Sequence, residues 1–298
     1  MPDDKNIRAG SYWLAGFVIL IWSITFVSTK FLLARLSPTE ILFYRVMIAL
    51  ALFTAVSPKR VRLPLKQELA IAAAGCLGTT VYFMCENFAL FYGTASNVSL
   101  IVSTAPLLTG LVVHVFVRGE PISKKFITGS VFCLVGIAVI VFNGHFILKL
   151  NPLGDIIALL AALSFAFYSL IVRNIDRSIS MVVITRKSFF YALLSMLPLT
   201  LTPLIQWRPE ELMRWDVALN LLFLGALASA FCYWAWAKVI WGLGPVKANN
   251  LIYLSPPLAI LCAALVLHEH ITLFALLGGV LTLIGVYISQ HEKQSPLE

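Results

Sequence analysis

YFMCENFALFYGTASNVSLIVSTAPLLTG, residues 82–110, is answered later in the same chain by YWAWAKVIWGLGPVKANNLIYLSPPLAIL, residues 233–261. Tyr82, Gly93, Leu100, Ile101, Pro106 and Leu107 recur as Tyr233, Gly244, Leu251, Ile252, Pro257 and Leu258 at one constant offset. After a two-residue gap the series continues, with Glu120, Ile122, Gly129 and Gly136 answered by Glu269, Ile271, Gly278 and Gly285. Further upstream Lys30 answers Arg173 and Arg45 answers Arg186. Matched Leu and Ile mean little in apolar sequence, whereas Gly, Pro, Tyr and Glu in the same order mark a duplication.

Around this repeat the chain is apolar almost throughout. Of 298 residues 60% are hydrophobic and 12% charged, with a mean hydropathy of +0.90. A soluble domain carries about 25% charged residues, so this chain cannot cover itself with a water-facing surface. Read in units of about 20 apolar residues, it divides into ten expected spans: 12–33, 39–56, 68–91, 95–117, 126–142, 154–172, 184–205, 217–239, 246–267 and 273–290. The first is read as a retained span, not a signal peptide. The expected fold is therefore an all-α integral membrane protein of ten transmembrane helices in two five-helix repeats, residues 1–150 and 151–298.

Loop charges set the expected orientation. Lys59, Arg60, Arg62, Lys66, Arg118, Lys124, Lys125, Arg173, Arg177, Lys247 and Lys293 gather with the N-terminal Lys5 and Arg8 on one side, facing only Arg35, Lys149, Arg208 and Arg214 on the other. Positive loops stay inside, so both termini are expected in the cytoplasm. Five spans is an odd number, so the second copy enters the membrane from the opposite face. Inverted repeats let one chain adopt two related states, open first to one side and then to the other, which is the physical basis for reading a carrier.

The residues quoted so far, with Trp22-Ser23, Ala89-Leu90, Gly119-Glu120 and His268-Glu269, resemble the EamA-type pattern of the drug/metabolite transporter superfamily. The resemblance runs over nearly the whole chain. It implies a ten-helix secondary transporter with a central cavity, exporting amino acids, other metabolites or drug-like compounds. A compact chain of this kind suits a bacterial inner membrane, working as a monomer or a homodimer.

Charges within spans are costly and need a reason. Lys30, Arg45 and Glu86 fall at similar depth near the outer ends of their spans, which offers Glu86 two cations as partners for an outer gate or a charged substrate group. Snorkelling and a static ion pair form the plainer reading. On the cytoplasmic side Arg186, Lys187 and Lys238 find no acid within a span, only Asp176 nearby in sequence; anchoring to anionic lipid explains most of them. Lys238 stands out because it aligns with the polar Asn87. Asn97 and Ser99 precede Pro106, as Asn250 and Tyr253 precede Pro257, and a proline that frees carbonyls beside a cavity marks a binding site in inverted-repeat carriers. Trp22, Tyr82, Tyr168 and Tyr233 supply an aromatic wall. Substrate contact is thus expected at Trp22, Tyr82, Glu86, Asn97, Ser99, Tyr168, Tyr233, Lys238, Asn250 and Tyr253, and gating or coupling at Lys30, Arg45, Glu86, Pro106 and Pro257.

The glycines at 129, 136, 278, 279 and 285 are read as helix-contact positions in spans 5 and 10. Five cysteines lie inside apolar runs without metal-ligand spacing, and small-hydrophobe packing is their expected role. With no phosphate-binding glycine loop and no nucleophile beside a base, the expectation is a transporter without cofactor, nucleic acid or catalysis. Its ligands are a small molecule and the lipid bilayer, with protons as a candidate coupling ion through Glu86. A membrane subunit or sensor that acts through a protein partner is the alternative.

Overall fold

The computed structural model describes residues 4–93, 95–117, 122–142, 151–202, 205, 207–258 and 272–290. Among them nine helices are long and apolar enough to cross a membrane. In chain order these are α1 (Asp4–Leu33), α2 (Pro38–Val56), α3 (Leu65–Tyr92), α4 (Val98–Phe116), α5 (Lys124–Phe142), α6 (Pro152–Arg173), α7 (Met181–Leu199), α8 (Trp215–Leu243) and α10 (Leu273–Gln290). Between the last two lies α9, helical over Pro245–Asn250 and tightened to a 3-10 turn over Leu251–Leu254. The chain continues helical over 255–258, counted with α9; the element coincides with the start of the expected span 246–267, whose residues from 259 on lie outside the described residues, as do Glu120, His268, Glu269 and His270.

Local chemistry sets the helix starts. Ser37 and Glu40 form a reciprocal capping box at α2, with Pro38 in the first turn. Asn151 accepts from the Gly154 amide at 3.1 Å, and Pro152 opens α6. Both arrangements satisfy amides that a helix start leaves without a partner. Between α8 and α9 the chain turns in a single residue, Gly244, at φ 80°, a conformation that glycine adopts without cost.

Periodicity misses two features. α3 passes through a π-helical segment at Cys76–Val81 and α8 through one at Phe223–Phe231. A π segment accommodates an extra residue per turn and occurs often at functional sites. The two segments lie at corresponding places in the copies, and end just before Tyr82 and Tyr233. α4 is broken at Ser103-Thr104, where both hydroxyls turn back onto backbone carbonyls, Ser103 onto Ser99 and Thr104 onto Ile101.

Tertiary contacts recur in exchanged pairs. α5 and α10 pack antiparallel through their glycines: a Cβ on Gly129 would meet Gly285 O at 2.6 Å, and one on Gly136 would meet Gly278 O at 2.6 Å. Gly129 is the mate of Gly278 and Gly136 of Gly285, so each contact is the other with its copies interchanged. Gly279 differs from this expectation, since a Cβ there meets nothing within 4 Å; it sits on the other face of α10. The ends of the bundle follow the same rule. At one end Arg35, after α1, lies 3.7 Å from Glu211 and 3.6 Å from Asp216 in the approach to α8. At the other, the residues leading into α7 hold those leading into α3: the Gln67 side chain accepts from the Asp176 amide at 3.2 Å.

Candidate functional site

A half-open cavity of about 300 Å³ lies toward the Arg35 end of the bundle, within the range of about 300–1,000 Å³ usual for small-molecule sites. Helices of both copies wall it, α1 to α5 with α6, α8 and α9. Most of the lining is apolar, and two ionisable side chains interrupt it.

Arg45 projects from the buried side of α2 and is 1% exposed. Its guanidinium stacks 3.7 Å above the Phe83 ring and donates through Nε to Ser229 Oγ at 2.9 Å. No other hydrogen bond engages its donors among the described residues, although a guanidinium carries five. Glu86, on α3, lines the same cavity and accepts from the Tyr82 hydroxyl at 3.3 Å. The two are not joined in an ion pair: no Arg45 nitrogen comes within 4.0 Å of a Glu86 carboxylate oxygen. Opposite charges facing one apolar space, each only partly satisfied by protein, leave hydrogen-bonding capacity for a ligand that carries both signs.

Below this pair the aromatics form a floor. Tyr233 lies 6.1 Å from Trp22, 5.7 Å from Phe83 and 5.7 Å from Tyr168 between ring centroids, and its hydroxyl donates to the Gly78 carbonyl. Phe165 packs against Tyr82 at 5.2 Å and Trp22 at 6.2 Å. The register that pairs Lys30 with Arg173 also pairs Trp22 with Phe165. The contacts Trp22–Tyr233 and Phe165–Tyr82 are therefore mates, exchanged between the copies, and Trp22–Phe165 lies between them. On the α9 side, Ser23 of α1 approaches Ser255 Oγ at 3.1 Å and latches the two helices beside the cavity.

Of the residues singled out in the sequence, Trp22, Arg45, Tyr82, Glu86, Ser99 and Tyr233 meet at this cavity. Tyr168 is buried beneath it against Tyr233. Pro106 is buried next to the lining residue Ala105, and Pro257 follows the lining residue Pro256. Asn250 and Tyr253 are fully buried outside the lining, and the Asn97 side chain lies outside the described residues.

Lys30 does not join Glu86; its Nζ reaches the Leu90 carbonyl at 2.8 Å and caps the last turn of α3, where a cation suits the helix dipole. Lys238 lies over the Trp234 ring at 4.0 Å, in a separate open pocket with Ser11 and Arg177. Asn87, its mate, is buried and donates to the Pro38 carbonyl at 3.0 Å. At the position equivalent to Glu86 the second copy carries Ala237.

Three participants escape sequence reasoning. Ser229 and Phe83, which hold Arg45, are ordinary residues in apolar runs. Glu68 is the acid that the expected cytoplasmic cluster lacked: it pairs with Lys187 at 2.5 Å and accepts from the Tyr191 hydroxyl at 2.8 Å. Its place in the first turn of α3 reads as a helix-start acid, and nothing in its neighbourhood points to α7.

The EamA-like transporter family model matches this chain twice, over residues 10–142 and 152–289. The chain belongs to the EamA-like transporter family. This places it among multi-pass membrane proteins of the drug/metabolite transporter superfamily. It is 26% identical over 96% of its length to the full length of an uncharacterized transporter of Archaeoglobus fulgidus. It is 24% identical to a probable amino-acid metabolite efflux pump of Escherichia coli, over 93% of each chain. A probable terminal-alkyne amino-acid exporter of Streptantibioticus cattleyicolor is 25% identical over 93% of this chain and 92% of its own. A solved crystal structure superposes with a TM-score of 0.73 at 19% identity, over 95% of this chain and 96% of that one, which extends the similarity to the fold.

Proposed function

We propose that this EamA-like protein exports a small zwitterion with an apolar side chain, of amino-acid type, by exposing its cavity alternately to the two faces of the membrane. The observation that carries this is the unjoined pair Arg45 and Glu86, themselves buried, facing one cavity above an aromatic floor. In this reading Arg45 takes the carboxylate, for which a guanidinium is the best-matched donor. Glu86 takes the ammonium, and Trp22, Phe83 and Phe165 receive the side chain. Relatives described as an amino-acid metabolite efflux pump and an amino-acid exporter support the class.

The mechanism rests on ten spans in two inverted repeats, with both termini and the Glu68–Lys187 end in the cytoplasm. Exchanged contacts at the glycine helices and the aromatic floor support it, because two copies related by a twofold can trade conformations about that axis. Glu86 is the group that would carry a coupling proton. A membrane subunit acting through a protein partner, which predicts a stoichiometric complex and no solute flux, has no comparable observation behind it.

Metabolite profiling of the medium around cells overexpressing the protein tests the proposal, with Arg45→Met and Glu86→Gln as controls checked for membrane level. Selective outward accumulation of amino-acid-like compounds, lost in both variants, is the expected result. An unchanged medium, or accumulation indifferent to both substitutions, rejects it.

A further inference from the structure

Asn250 is fully buried, and neither its Nδ2 nor its Oδ1 has a hydrogen-bond partner among the described residues. Two other buried amides, Asn87 and Asn249, are anchored through Nδ2 and leave only Oδ1 without a partner among the described residues. Asn87 donates to the Pro38 carbonyl, and the adjacent Asn249 donates to Thr109 at 2.7 Å and Ser169 at 2.9 Å. Burying both ends of an amide without a partner incurs the full loss of its hydration, a cost that an Ala or Leu at this position would avoid. A polar group left in this condition makes sense where another state of the protein supplies its partner.

The repeat register says which state. Asn250 stands in the second copy where Ser99 stands in the first, and Ser99 lines the cavity. The two equivalent helices present different faces to that cavity: α4 offers Ser99, Val102 and Ser103, whereas α9 offers Ile252, Ser255 and Pro256. Transferred through the register, the α4 face becomes Asn250, Tyr253 and Leu254 on α9. The α9 face becomes Ile101, Thr104 and Ala105 on α4, of which Ala105 already lines the cavity, as its mate Pro256 does. An exchange of conformation between the copies therefore withdraws Ser99 and brings Asn250 to the wall.

We infer that Asn250 is a substrate-binding residue of the opposite-facing state, where it forms the polar wall of a second cavity that is closed in the present structure. This rests on the transport reading above and deepens it. The amide offers donors to a carboxylate and an acceptor to an ammonium, so it fits the same class of small zwitterion without adding charge. Ala237 at the Glu86 position leaves that second cavity without the matching acid, and Asn250 supplies an acceptor from α9 instead.

Cysteine accessibility tests this with the full-length protein in right-side-out and inverted membrane vesicles, using a membrane-impermeant maleimide and reading labelling against the unsubstituted chain. Ser99→Cys is expected to label from one face and Asn250→Cys from the other. Leu254→Cys, on the same inferred face, repeats the test if Asn250→Cys fails to reach the membrane. Labelling of both α9 positions from neither face, or from the face that reaches Ser99→Cys, overturns the assignment.

Asn250→Leu gives a second readout. In the present state it removes two unpartnered polar atoms, so thermal stability in detergent should hold or rise, while leucine flux in proteoliposomes falls roughly tenfold or more. Lower stability with unchanged flux per folded molecule would make Asn250 a packing residue and end the proposal. Leucine flux by the unsubstituted protein reads the transport proposal separately. Flux with Asn250→Cys silent from both faces sinks the Asn250 assignment alone. Two-sided labelling without flux keeps the assignment and rejects leucine as the ligand.

Discussion

Arg45 is held by one hydrogen bond and one aromatic face, so its neighbours set its aim and its own fork does the recognition. Replacing it by Lys keeps the charge but loses the planar set of donors; the apparent KM for a zwitterionic substrate should rise roughly ten- to hundredfold, on the scale of one lost charge-assisted hydrogen bond of about 1.5–3 kcal/mol. Ser229→Ala should raise KM less, about two- to tenfold, as for an ordinary hydrogen bond of about 0.5–1.5 kcal/mol. Equal effects of the two in proteoliposome uptake would mean that Arg45 is a packing residue. At the other end, Glu68 and Lys187 are 19% and 17% exposed in their side chains, between surface and buried behaviour. A double-mutant cycle with Glu68→Gln and Lys187→Met should return a coupling of about 1–2 kcal/mol, and a coupling near zero would mark the contact as incidental. Arg45 and Glu86 could be picked from the sequence because a charge inside an apolar run is expensive and conspicuous. Ser229 and Glu68 could not: a serine among alanines and an acid in a first helical turn are commonplace, and their partners lie far away along the chain.

The helices of the bundle were legible from hydropathy, and the repeat located the glycine pairs in α5 and α10 before their contact was seen. The glycine pattern alone did not separate Gly278 from Gly279, although successive helix positions point about 100° apart and only Gly278 meets α5. The difference is measurable. Gly136→Ala places a methyl group against the Gly278 carbonyl and the Thr282 amide and should lower stability by about 1–3 kcal/mol, as overpacking does. Gly279→Ala enters open space and should be neutral or gain up to about 1 kcal/mol of helix propensity. Thermal unfolding in detergent compares them; the same ranking reversed would mean that α10 packs on its other face. The π-helical segments had no sequence signature, since one extra residue in a turn leaves an all-apolar run looking the same. They place Tyr82 and Tyr233 just beyond the loosened turns, where small changes of twist alter the floor of the cavity.

At the scale of the molecule, the proposed inverted arrangement makes a definite statement about which connections share a face. Arg62, between α2 and α3, and Met213, between α7 and α8, are both exposed and separated by five helices from α3 to α7. Arg62→Cys and Met213→Cys should label with an impermeant reagent from opposite sides of the membrane, Arg62→Cys from the cytoplasm; labelling of both from one side would break the inverted topology. The copies are chemically unequal where it matters most, with Glu86 matched by Ala237. A carrier with unlike binding faces is still bound by detailed balance: with equal substrate on both sides no net flow can arise, however tightly one face grips. The inequality must then appear as different KM values measured from the two faces, matched by differences in Vmax of the same sense and proportion, so that Vmax/KM is the same in both directions. With a pH difference imposed across the membrane the Vmax/KM values of the two directions part only if a proton travels with the substrate, and the protein then works as a rectifier charged by the proton gradient.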